Sequence, residues 1–103
     1  MLAAFSITPL GGSDSVSPAV AEAVRRVRES GLPNETNAMF TNVEGDWDEV
    51  MALLKQCIDR VARDAPRVSV VIKIDHRPGH DGALTEKVRA VERVLSELDD
   101  ELP

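Results

Sequence analysis

In residues 68–75 of this chain, Val68, Val70, Ile72 and Ile74 alternate strictly with Ser69, Val71, Lys73 and Asp75. A period of two cannot line one face of a helix; it sends successive side chains to opposite faces of a strand. Residues 2–8 repeat the pattern, with Ala3, Phe5 and Ile7 on one face and Leu2, Ala4, Ser6 and Thr8 on the other, before Pro9, Leu10, Gly11 and Gly12 close the strand. Residues 9–67 separate these two strands. The fold must therefore bring distant segments into one sheet.

The intervening segments change period. Ser17 stands at an N-cap position and Pro18 at the first helical position, where its missing N–H costs nothing. Val16, Val20, Ala23, Val24 and Val27 then recur at helical spacing, and Gly31 is a natural stop. In residues 34–45, Thr36, Met39, Phe40, Thr41 and Val43 favour extended structure, which fits two short strands turning near residues 38–40. Asp46 caps a second helix and Glu49 completes a reciprocal capping box. Trp47, Val50, Leu54, Cys57, Ile58 and Val61 form its expected buried stripe. A third helix, after the loop at 76–82, carries Leu84, Val88, Val91, Leu95 and Leu98 on one side, with residues 99–103 expected to fray. The order predicts an α+β, ferredoxin-like βαββαβ domain over residues 1–103 with an additional C-terminal helix. Its sheet is four-stranded and antiparallel, with helices on one face.

Composition narrows the function. The net charge is −6, with 18 acids against 12 bases, and aromatic residues make up 3% with no tyrosine. Both features disfavour nucleic acid, which needs clustered cations and stacking platforms. Cys57 is the single cysteine, so no internal disulfide forms; residues 1–10 lack a signal-peptide pattern and no apolar run suits a membrane. A cytoplasmic location follows as an expectation.

Catalytic machinery is sparse. Cys57 lies on an apolar stripe, where a small buried hydrophobe is the ordinary role. His76 and His80, flanked by Asp75 and Asp81, have metal-ligand chemistry, but Pro78 and Gly79 interrupt any helix that would align them. Gly11 and Gly12 precede a helix without the full dinucleotide glycine pattern, and Asp14 would repel phosphate. No catalytic residue, metal or cofactor is expected.

Two surfaces remain. The sheet face opposite the helices, with Leu2, Ala4, Ser6, Thr8, Ser69, Val71, Lys73 and Asp75, is too apolar for water and too polar for a second core. Such a face suits a partner subunit or a ligand. Residues 36–45 gather amides, hydroxyls and a carboxylate beside Met39, Phe40 and Trp47, a set that can read the edge of a flat heterocycle and cover its face. Equally, Asn37 and Asn42 suit turn backbone, Met39 and Phe40 an interface, and Glu44 solvent.

Residues 5–11 (FSITPLG), residues 39–51 with VEGDWDEV at their centre, and residues 72–77 (IKIDHR) resemble the YkoF-like thiamine-binding family, with all elements in order. The resemblance implies a ferredoxin-like fold, a homodimer or homotetramer, and a non-catalytic cytoplasmic binding protein for thiamine or its hydroxymethylpyrimidine moiety. An oligomeric scaffold without a ligand is the alternative. Phe40 departs from the family, where a small residue such as glycine is expected. Thiamine carries a cationic thiazolium and an aminopyrimidine with donor and acceptor edges. Against that chemistry Ser6, Thr8, Asn37, Thr41 and Glu44 are the polar candidates, with Met39 and Trp47 as apolar walls. With so few aromatics, a pocket is expected at or near a subunit interface.

Overall fold

The computed structural model describes residues 1–12 and 17–101. The elements are β1 (Leu2–Leu10), α1 (Ser17–Glu29), β2 (Asn34–Thr36), β3 (Thr41–Glu44), α2 (Trp47–Ala62), β4 (Arg67–Asp75) and α3 (Ala83–Asp100). The strands form one sheet in the order β2-β3-β1-β4, every neighbouring pair antiparallel. This is the ferredoxin-like α+β arrangement with an added C-terminal helix. Val16 and Asp14 lie outside the described residues, and α1 begins at Ser17 itself.

The alternation read in β1 and β4 sets the layers. Ala3, Phe5 and Val43 are buried on the face that meets α1 and α2, and Ile7, Val68, Val70, Ile72 and Ile74 pack against that core. From α1 come Ala23 and Val27, and from α2 come Val50, Leu53, Leu54, Cys57 and Val61. Arg60 clasps the two helices by pairing with Glu22 of α1 while its Nη1 lies 3.0 Å from Asp64. The stop and start signals act where they were read. Gly31 takes φ +80°, a left-handed conformation open to glycine, just after α1. Glu49 accepts a hydrogen bond from the Asp46 amide at 3.4 Å before α2.

Three expectations need correction. β1 continues through Pro9 to Leu10, paired with β4 down to Leu10↔Arg67. A proline is tolerated there because its missing N–H faces away from β4, as the hydrogen-bond phase described below requires. Trp47 is 51% exposed. It shares the phase of the α2 stripe, but it occupies the first helical turn, and Leu53 is buried instead.

The third correction concerns α3, which is not covered. Val88, Val91, Val94, Leu95 and Leu98 are each more than half exposed. The helix starts beside the open sheet face: Glu44 alternates with Val43 and so points away from the core, and its carboxylate accepts the amides of Gly82 (2.9 Å) and Leu84 (3.2 Å). Asp75, on the same face, pairs with Lys87. Beyond Lys87 no described hydrogen bond ties α3 to the body. The radius of gyration is 16.8 Å, whereas a compact chain of this length has about 13 Å.

Candidate functional site

β1 and β3 differ in length, and that mismatch makes the site. The Met1 carbonyl accepts the Gly45 amide at 3.0 Å. This bond sets the phase of the β1–β3 ladder: Met1, Ala3 and Phe5 turn their backbone groups toward β3, and the even residues turn theirs toward β4. Pairing with β3 ends at Phe5↔Thr41, because β3 begins at Thr41. Ile7 is next in phase. Its N–H and C=O point to where β3 would continue, and they have no hydrogen-bond partner among the described residues.

In place of more strand, the chain turns through residues 37–40. Asn37 builds that turn, its Oδ1 accepting the amides of Met39 and Phe40 at 2.9 Å each, while its amide donates to Phe40 O at 2.9 Å. No described residue other than glycine has a positive φ, so the turn has no need of glycine at position 40. Phe40 narrows the space beside it without straining the backbone.

The resulting notch is a cavity of about 180 Å³ on the helix side of the sheet. Phe5, Ser6 and Ile7 form one wall, Val20, Ala23, Val24 and Val27 of α1 a second, residues 36–41 a third, and Cys57 and Val61 of α2 the floor. A cavity of about 150 Å³ holds benzene, so the space suits one six-membered ring. The polar groups at hand are the Ile7 backbone pair, the hydroxyls of Thr36 and Thr41, and the Asn37 side-chain amide. Thr41 shares the core-side phase of Val43, which directs it to the notch. Met39, 74% exposed, stands at the mouth.

Among the described lining residues Cys57 alone can titrate. Its Sγ donates to the Ala23 carbonyl at 3.5 Å. Burial pushes its pKa up, against the opposing pull of Arg26, so the thiol stays protonated at neutral pH. Among the described lining residues there is no cation and no carboxylate. Elsewhere, no group of three or more His, Cys, Asp or Glu side chains gathers as a metal site among the described residues. The His80 ring lies 3.3 Å from the Pro78 carbonyl in an exposed loop. Among the described residues no helix is long and apolar enough to cross a membrane.

The structure therefore sorts the residues singled out from the sequence. Asn37, Met39 and Thr41 meet at the notch. Ser6 passes along it, but its side chain belongs to the opposite sheet face, as does that of Thr8. Glu44 is 8% exposed and holds the start of α3. Trp47 stands at the head of α2, away from the notch lining. Sequence reasoning missed the Ile7 backbone, the α1 wall and the Cys57 floor. The available signal was the difference between a long first strand and a very short third one.

Comparison with known proteins bears on this arrangement. The family model described as "Thiamine-binding protein" matches residues 3–92. The UPF0045 protein Mb1933 of Mycobacterium bovis is 57% identical over 96 residues, covering 92% of this chain and 94% of its own length. The crystal structure of the hypothetical protein MJ1052 from Methanocaldococcus jannaschii superposes with a TM-score of 0.77 at 37% identity, over 88% of this chain and 94% of that one. A Thermotoga maritima protein assigned provisionally to thiamine biosynthesis or salvage shares the fold, with a TM-score of 0.74 at 21% identity over 87% and 96% of the two chains. On the extent of the family match and of these identities, the chain belongs to the thiamine-binding protein family.

Proposed function

We propose that this protein is a non-catalytic, cytoplasmic binding protein for thiamine or its hydroxymethylpyrimidine moiety, and that the notch beside Ile7 receives the pyrimidine. The observation that carries this reading is the exposed backbone pair of Ile7. One residue offers a donor and an acceptor side by side, as a strand offers them to the next strand. An aminopyrimidine presents the complement, a ring nitrogen that accepts and an amino group that donates. Valines of α1 and the Phe40 ring cover its faces, and the cavity is the size of one ring.

The lining favours binding over catalysis, since Cys57, the one titratable group among its described residues, is held neutral. It also favours a ligand without phosphate, since the described lining residues include no cation to offset one. The thiazolium, lacking a lining carboxylate, lies toward the mouth, near Met39. The thiamine-related assignment of the Thermotoga fold relative agrees with this ligand class.

Calorimetric titration with thiamine, hydroxymethylpyrimidine and thiamine diphosphate tests the proposal. The two unphosphorylated compounds are expected to bind within about tenfold of each other, and the diphosphate more weakly. Absence of heat and of any melting-temperature shift with millimolar thiamine and hydroxymethylpyrimidine overturns it.

A further inference from the structure

The chain direction of β1 gives the notch a sense as well as a size. Along the strand the Ile7 N–H precedes the Ile7 C=O, so the donor lies on the Phe5 side and the acceptor on the Pro9 side. The two ends of this pair differ. On the donor side the sheet is closed, because Phe5 is paired with Thr41. On the acceptor side β1 runs on past Ile7 with no described strand beside it where β3 would continue. The cavity has room for one ring, so a substituent much larger than methyl fits only at the open end. Thiamine has a matching sense. Its 2-methyl group adjoins the ring nitrogen N3, and its C5 methylene, which carries the thiazolium, adjoins the carbon bearing the amino group. When N3 accepts from the Ile7 N–H and the amino group donates to the Ile7 carbonyl, the methyl faces the closed end and the thiazolium leaves through the open one.

We propose that this polarity makes the notch select 4-amino over 4-oxo pyrimidines, and that the selection is strong only when C5 carries a bulky group. The inference rests on the pyrimidine reading of the notch given above. A 4-oxo ring in its N3–H form has donor and acceptor exchanged. Held in the same sense, it sets N–H against N–H and oxygen against oxygen, and both Ile7 groups go unpaired. Turning the ring over restores the two hydrogen bonds, since O4 then meets the Ile7 N–H and N3–H meets the Ile7 carbonyl. The same turn exchanges the positions of the 2-methyl and the C5 group, so the C5 group points toward Thr41 at the closed end. A hydroxymethyl group, one atom larger than methyl, is accommodated there; a thiazolium is not. Turning over therefore rescues small 4-oxo compounds and not large ones. Charge dictates neither sense, because the described lining residues include no cation and no carboxylate. The peptide group of Ile7 is thus the specificity determinant, and the Phe5–Thr41 pair fixes which way round it is read.

Calorimetric titration of the full chain with two matched pairs tests the inference: thiamine against oxythiamine, its 4-oxo analogue, and hydroxymethylpyrimidine against the corresponding 4-oxo compound. Oxythiamine is expected to bind at least about a hundredfold more weakly than thiamine. The small 4-oxo compound is expected to stay within about tenfold of hydroxymethylpyrimidine. A hydroxymethylpyrimidine with propyl in place of the 2-methyl group probes the closed end directly, and a loss of at least about tenfold is expected from it. Oxythiamine binding within about tenfold of thiamine overturns the inference and leaves the pyrimidine reading standing. An equal loss in the two pairs also overturns it, because the small ring would then be unable to turn over. Equal binding of the propyl and methyl compounds does the same, because the end at Thr41 would then be open. If thiamine and hydroxymethylpyrimidine themselves give no binding, the pyrimidine reading falls and this inference falls with it.

Discussion

The α1–α2 layer and α3 have the same kind of sequence pattern and opposite fates. Each is a helix with one apolar stripe. Val27, Val50, Cys57 and Val61 are fully buried, whereas Val88, Val91, Leu95 and Leu98 remain more than half exposed. Helical periodicity says that a face requires cover, not which surface covers it. For α1 and α2 the cover is the chain's own sheet. For α3 the single chain has none to offer.

The contrast can be broken most forcefully with one charge on each side. Val27→Asp places an unpaired carboxylate in the core and is expected to cost about 4 kcal/mol or more, enough to unfold much of the protein in a denaturant titration. The same change at Val91 should move the midpoint for the isolated chain by less than about 0.5 kcal/mol. Equal losses at the two positions would mean that α3 is part of the core after all.

A smaller effect is expected where α3 meets the sheet. Glu44→Ala leaves the Gly82 and Leu84 amides without their acceptor, a local loss of about 1–3 kcal/mol. Hydrogen exchange should quicken across the first turns of α3 and stay slow in α1 and α2. Uniform quickening would show that the two regions open together.

The smallest effect is set by pH. Hydrogen bonds from Arg60 and Lys87 hold the carboxyls of Glu22 and Asp75 below their ordinary values. A lowered native pKa means that the unfolded state binds the proton more readily. The stabilisation is therefore complete above the ordinary carboxyl range and is lost as pH falls through the lowered native values. Both carboxylates are about half exposed, so the contribution is slight. Glu22→Gln should lower the melting temperature a little at pH 7 and not at all at pH 2. Asp75→Asn should instead loosen α3 alone over the same window.

Much of the fold was legible because its signals are local. Alternation in β4, Gly31 behind α1 and the Asp46–Glu49 pair before α2 depend on neighbours a few residues away. The failures share a different origin. Trp47 has the right phase but the wrong position along α2, since phase carries no information about where the sheet ends. Glu44 read as a solvent or ligand carboxylate because its partners, the amides of Gly82 and Leu84, are backbone groups far along the chain. At the candidate site, the polar residues of the hairpin were visible, with Asn37 suited to the turn it builds. Ile7 was not, because its contribution is a peptide group and any residue type but proline would supply it.

That same vacant stretch of β1 carries a hazard, and Pro9 answers it. Past Phe5, a strand that is central in the sheet becomes an edge on its β3 side. Exposed edges invite strands from other molecules and so begin aggregation. Pro9 shares the phase of Ile7 but has no amide hydrogen, so an incoming strand meets one donor and then a gap. A small ring-shaped guest needs only the Ile7 pair, whereas a foreign strand needs the row to continue. The proline thus keeps the opening available to a compact molecule while denying it to a polypeptide.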